Sequence, residues 1–202
     1  MNPAPQVQTL QLDASMPDGM QCLLLTQDAP RPELRPHVHR TLLEMLAGHL
    51  GAPASELELL FTESGKPRCP QAEAAGLSFS FSYAPPHVCI VTGPASSIGV
   101  DIERVIAEEP AWNLLEHVFT EQELQQWLRL PAGEVRRRAF TTAWTVKEAT
   151  LKARGTGLAD SPQSVGVIFT ADGLAAPADA GLGGWQGLNS IPGVVGTLIF
   201  NV

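Results

Sequence analysis

An α+β fold made of two similar α/β subdomains is what the sequence predicts, and three observations predict it. The order strand, helix, three strands runs through the first half and returns, with extra helices, in the second. Leu77–Tyr83 (LSFSFSY) and Ser97–Arg104 (SIGVDIER) alternate apolar and polar residues with the period of a half-buried strand. Phe140, Trp144, Val146, Ala149 and Leu151 recur at helical spacing ahead of Gly155 and Gly157, which supply left-handed residues to stop a helix. A chain of 202 residues holds two units of about 100, and 44% hydrophobic content is that of a packed globular protein. The expected division is 1–97 and 98–202, with a ligand cleft between them.

Taken in order, Met20–Thr26 (MQCLLLT) reads as a buried strand, and the Asp28-Ala-Pro-Arg-Pro run after it as a breaker. Val38, Leu42, Leu46 and Leu50 predict an amphipathic helix over Leu34–Leu50, ending near Gly48 and Gly51. Leu57–Thr62 reads as a strand, and Glu63-Ser-Gly-Lys-Pro as a tight turn pivoting on Gly65 with Lys66 at its tip. Leu77–Tyr83 and His87–Thr92 are expected to pair as antiparallel neighbours across Pro85-Pro86, with the serines on a solvated face. Trp112–Val118 predicts a short helix. Thr120 with Glu123 three residues on forms a capping box for the next, which accounts for Glu123 without catalysis. Glu134–Arg154 is the long helix. Ser164–Thr170, Trp185–Leu188 and Val194–Val202 are closing strands, with Ala171–Gly184 a flexible connection.

Charge and cysteine usage narrow the function class. The net charge of -8 argues against a general nucleic-acid surface. Between residues 129 and 154, however, stand Arg129, Arg136, Arg137, Arg138, Lys147, Lys152 and Arg154 against Glu134 and Glu148, a window of +5. A local basic patch on an acidic protein suits a small anionic ligand or an acidic protein partner. Cys22, Cys69 and Cys89 are odd in number and lack metal-ligand spacing, so reduced thiols in a cytoplasmic protein are expected. His37, His39 and His49 do not form a metal set, while Arg40 is a candidate anion contact. No stretch has the pattern of a leader or a membrane helix.

Two small charged groups carry chemistry. Asp101 and Glu103 lie two apart on one face of a strand, where they repel each other; a hard cation such as Mg²⁺ would relieve that repulsion, and a solvated strand edge would tolerate it. Glu148 and Lys152 lie four apart on one helix face with Lys147 about 100° round, an arrangement that serves equally as a surface ion pair contributing roughly 0.2–0.5 kcal/mol.

Together the motifs resemble the 4'-phosphopantetheinyl transferase superfamily, in its pseudo-dimeric form that activates peptide and polyketide synthases. The matching pieces are GKP at Gly65–Pro67, FSFSYA at Phe79–Ala84, IGVDIE at Ile98–Glu103, FTEQE at Phe119–Glu123, and WTVKEATLK at Trp144–Lys152 followed by GTGL. The resemblance implies coenzyme A as co-substrate, Mg²⁺ held by Asp101, Glu103 and Glu148, and transfer of phosphopantetheine to a serine of an apo acyl or peptidyl carrier protein. It implies Glu148 as base and Lys152 as pyrophosphate contact. Lys66 and Pro67 would meet the adenine side, and Arg40, Ser82, Tyr83, Asp101 and Lys147 would be further coenzyme A contacts. A monomer is expected. Tyr83 stands where the family usually has a histidine, so a looser hold on coenzyme A phosphate is expected. The carrier is expected to dock on the basic window at Arg137 and Arg138. The competing expectation is a member of the same fold that binds carrier or coenzyme A without catalysis.

Overall fold

The computed structural model describes residues 5–10, 18–63, 65–156, 160–170, 172–178 and 183–201. By contact density the chain divides into two compact units, Met1–Ile98 with Asn201–Val202, and Gly99–Phe200.

The first unit is a four-stranded antiparallel sheet with a long helix packed on one face. Its strands are β1 (Gln6–Thr9), β2 (Gln21–Thr26), β5 (Leu77–Ala84) and β6 (His87–Pro94), in the order β1-β2-β6-β5. Helix α1 (Arg31–Leu50) lays Leu34, Val38, Leu42 and Leu46 against Leu25, Val88 and Ile90 of the sheet. The helix starts three residues before the predicted Leu34, because prolines in a first turn lose no hydrogen bond and come with a φ already suited to the helix. It stops at Gly51, whose φ of 64° is the left-handed cap. Between helix and sheet run two short strands, β3 (Leu60–Phe61) and β4 (Pro67–Arg68), and the one-turn helix α2 (Pro70–Ala74). The predicted strand Leu57–Thr62 is therefore cut to two residues. The turn that follows pivots on Gly65 as expected, at φ 79°.

Strand β5 corrects one expectation. Its serines were assigned to a solvated face, yet Ser80 and Ser82 are buried, while Phe79, Phe81 and Tyr83 are only half-buried against α1. Both faces of this sheet are covered, so alternation marks which residues share a face and not which face meets water.

The second unit holds β7 (Ser97–Arg104, from Gly99 on), then α3 (Trp112–Val118), α4 (Glu121–Leu128) and α5 (Glu134–Arg154). These are followed by β8 (Val167–Phe169), β9 (Ala175–Pro177), β10 (Gly184–Gly187) and β11 (Val194–Asn201). Strands order as β10-β11-β7 in one sheet and β8-β9 in another. Phe119 anchors the helical core, with edge-on contacts to Phe140 and Phe169 and a tilted one to Trp127. The capping box is formed as predicted: Glu123 N donates to Thr120 Oγ1 and Thr120 N donates to Glu123 Oε2. Helix α5 spans the predicted range and ends at Gly155, φ 79°; Gly157 lies outside the described residues. Ala175–Pro177 was taken as part of a flexible connection, but it forms a strand on Val167–Phe169. Short edge strands carry too few alternating residues to announce themselves. Among the described residues no helix is long and apolar enough to cross a membrane.

Candidate active site

The site grows from one close approach. Gly99, Asp101 and Glu103 share a face of β7, and that face is turned to α5. A Cβ on Gly99 would lie 1.8 Å from the carbonyl oxygen of Ala149 and 2.6 Å from the nitrogen of Ala153. Only glycine lets the strand backbone rest directly on the helix backbone. Two and four residues further along the same face, Asp101 and Glu103 are thereby delivered to the side of α5 that carries Glu148 and Lys152.

The two pairs of charges meet across β7 and α5. Lys152 Nζ donates to Asp101 Oδ1 at 2.8 Å and to the Val100 carbonyl at 3.1 Å. Asp101 is buried, and Glu103 and Glu148 are half-buried. Burial pushes the Glu103 carboxyl up to about 7; the Asp101 charge adds to the rise, Lys152 opposes it, and Glu148 contributes a smaller push. Burial likewise raises Glu148, with Asp101 adding and Lys152 opposing. Glu148 Oε1 is buried with no hydrogen-bond partner among the described residues. Glu103 and Glu148 thus each resist ionising beside the Asp101 charge. Among the described residues, however, no three acidic, histidine or cysteine side chains are gathered closely enough to form a ready-made ion site.

Lys147 takes a place that the sequence did not foresee. The family resemblance put it among the ligand contacts, yet its side chain is fully buried and points away from the acidic cluster's partner Lys152. Its ammonium donates to both oxygens of Glu123 (3.1 and 3.0 Å) and to the carbonyls of Pro162 and Val165 (3.1 and 2.5 Å). Glu123 in turn accepts the Val167 backbone N–H at 2.8 Å as well as that of Thr120. With every donor engaged inside the protein, Lys147 has none to offer a ligand. The signal that could have found this pair is thin: a capping glutamate and a lysine 24 residues on.

The basic window divides for the same kind of reason. Arg136 donates to the carbonyls of Leu128 and Leu130 and lies over the Trp127 ring at 5.3 Å, so it closes the end of α4. Arg137 and Arg138 are half-buried.

Residues implied in the first unit are spread over three elements. Arg40 is exposed on α1, with Nη2 3.0 Å from His37 Nδ1 and Nε 3.9 Å from Glu44. Lys66 is exposed at the β3-β4 turn, and Pro67 opens β4. Ser82 and Tyr83 are neighbours on β5. Tyr83 packs edge-on to Phe81 and lies under the Arg31 guanidinium, 4.5 Å from its ring centre. Its hydroxyl is buried with no hydrogen-bond partner among the described residues, and burial raises its pKa against the opposing charges of Arg31 and Arg35. Arg31 and Arg35 precede Arg40 in the sequence as substitutes for the family's usual basic cluster, and Arg31 is the one that lies over Tyr83.

Comparison with known proteins gives the class. The family model described as "4'-phosphopantetheinyl transferase superfamily" matches residues 97–185. The chain is 30% identical over 167 residues to slr0495 of Synechocystis sp., a protein named for the 4'-phosphopantetheinyl transferases; the match spans 78% of this chain and 68% of that one. It is 29% identical over 119 residues to the 4'-phosphopantetheinyl transferase HetI of Nostoc sp., covering 58% of this chain and 50% of HetI. To the L-aminoadipate-semialdehyde dehydrogenase-phosphopantetheinyl transferase of Schizosaccharomyces pombe it is 31% identical over 131 residues, covering 57% and 49%. The chain thus matches about half the length of the latter two relatives. The mixed α/β fold fits that family, and the relatives' names make the protein a transferase. Within that class, this chain belongs to the 4'-phosphopantetheinyl transferase superfamily.

Proposed function

We propose that the protein transfers the 4'-phosphopantetheine group from coenzyme A to a serine hydroxyl of an apo acyl or peptidyl carrier protein, in a Mg²⁺-dependent reaction that releases 3',5'-ADP. The observation that carries this reading is the grouping of Asp101, Glu103 and Glu148 around the Lys152 ammonium. Such a group suits a cation and a pyrophosphate: the carboxylates are oxygen donors that repel one another, one Glu148 oxygen is buried without a partner, and a lysine is at hand for the phosphate. In this structure the Lys152 ammonium is the cation at Asp101 Oδ1. Asp101, Glu103 and Glu148 would hold Mg²⁺, which when bound would supply charge neutralisation at the pyrophosphate oxygens.

The protein's own residues do the rest. Lys152, held by Asp101 and the Val100 carbonyl, presents its ammonium to the pyrophosphate. Glu148 takes the proton of the carrier serine as its oxygen bonds to the β-phosphorus and the bond to the ADP oxygen breaks. In the first unit, Arg31 over the Tyr83 ring supplies a positive charge next to the position where the family usually has a histidine. Lys66 and Arg40, both exposed, would be further cations for the nucleotide.

Mass spectrometry of an apo-carrier incubated with this protein, coenzyme A and Mg²⁺ tests the reading. One phosphopantetheine is expected to be added to the carrier serine, with 3',5'-ADP released in equal amount. Binding of coenzyme A or carrier without any mass gain across fatty-acid, polyketide and peptide carriers would replace it with a binding role.

A further inference from the structure

We propose that the buried Lys147–Glu123 pair is a positioning device for the active site: it sets the rotation of α5 about its own axis, and with it the aim of Glu148 and Lys152. The helix is gripped on two sides. On one, Gly99 of β7 lies against Ala149 and Ala153 with no room for a methyl group. On the other, Lys147 reaches Glu123 and the carbonyls of Pro162 and Val165. At about 100° per residue, Ala149 lies about 200° round from Lys147 and Lys152 about 140° round, so the two grips are nearly opposed. Glu148 falls between them, about 100° from the first.

A close backbone contact between smooth surfaces fixes distance but resists rotation poorly. A four-acceptor lysine resists it well, because each bond is directional and the acceptors come from two separate segments, α4 and the turn at residues 162–165. Glu123 is itself anchored by the Thr120 and Val167 backbone N–H groups, so it cannot follow the helix. The pair therefore ties the phase of α5 to α4 and to the start of β8. Apolar side chains around the rest of the helix would accept a rotation by repacking, whereas this pair would not.

The turnover arm of the test rests on the transfer reaction proposed above; the spectroscopic arm does not. The chain has three lysines, Lys66, Lys147 and Lys152. In ¹⁵N-lysine-labelled protein the Lys152 ammonium, bonded to Asp101 and Val100, is expected to give a protected resonance, while the exposed Lys66 exchanges too fast to be seen. The variants are Glu123→Gln and the double variant Lys147→Met with Glu123→Gln, which avoids leaving one charge buried alone. If the pair sets the phase of α5, both keep cooperative thermal unfolding, the double variant loses the Lys152 resonance, and kcat falls at least tenfold. A Lys152 resonance retained unchanged in the folded double variant overturns the proposal whatever the rate does. So does a lost resonance with kcat within twofold of the native protein. Failure of the native protein to modify any carrier removes only the turnover arm, and the Lys152 resonance still decides the question.

Discussion

Lys147 and Lys152 stand five residues apart on one helix and live in opposite conditions. Lys147 is fully buried, and Glu123 with two backbone carbonyls takes up its protons. Lys152 is about a third exposed and bridges to a cluster with more negative charge than it can neutralise. Burying an ammonium costs several kcal/mol, which only a complete set of acceptors offsets; Lys147 has that set and is structural. Around Lys152 the balance is left open, with a Glu148 oxygen unbonded and Glu103 titrating near 7. A charged residue's surroundings, more than its type or spacing, separate a strut from a working group.

The comparison can be broken first at its strut. Lys147→Met leaves the Glu123 carboxylate buried beside an apolar chain and is expected to cost about 3–5 kcal/mol in urea unfolding. A loss under about 1 kcal/mol would show that the pair bears little of the fold. Next comes the contact that sets the site's depth. Gly99→Ala forces a methyl group into the Ala149 carbonyl and is expected to destabilise by about 1–3 kcal/mol, with β7 or α5 displaced in a crystal structure of the variant. An unshifted variant of native stability would disprove the close approach.

Glu148→Gln sharpens the other side. Transfer to carrier is expected to fall more than tenfold, about 1.4 kcal/mol on the barrier, while thermal stability holds or rises because one of three repelling carboxylates has gone. Equal losses of activity and stability would make Glu148 a second strut. The smallest effect is in pH. The folded Glu103 binds its proton more tightly than its ordinary value of 4.5, so the unfolded state releases the proton first as pH rises. Its contribution is greatest below about 4.5, declines through the interval up to about 7, and is flat above. Melting temperatures of the native protein and Glu103→Gln, compared from pH 4.5 to 8 without divalent ions, should nearly coincide at the acid end and diverge as pH rises, with the variant on the shallower slope. Identical slopes would remove Glu103 from the cluster.

Much of this was legible in one dimension. Periodicity and the glycine stop gave α5 its full length, the Thr120–Glu123 spacing gave the α4 cap, and the alternation in IGVDIE put Asp101 and Glu103 on one face. The four-residue step from Glu148 to Lys152 put those two on one side of the helix. These are local rules, in which neighbours in sequence are neighbours in space, so a chain can state them without folding.

What the tertiary structure alone decided is where each face is turned and what it meets. Spacing could not tell that Ser80 and Ser82 are buried while Phe81 and Tyr83 are half-exposed, because a sheet covered on both sides has no wet face to mark. Nor could it tell Lys147 from Lys152: both sit in one helix beside one glutamate, and the acceptors that separate them come from Glu123, Pro162 and Val165 for the first and from Val100 and Asp101 for the second. The deciding distances join residues 15 to 52 apart in sequence, and whether a charge is neutralised or left open depends on those distances through the steep dielectric penalty of burial.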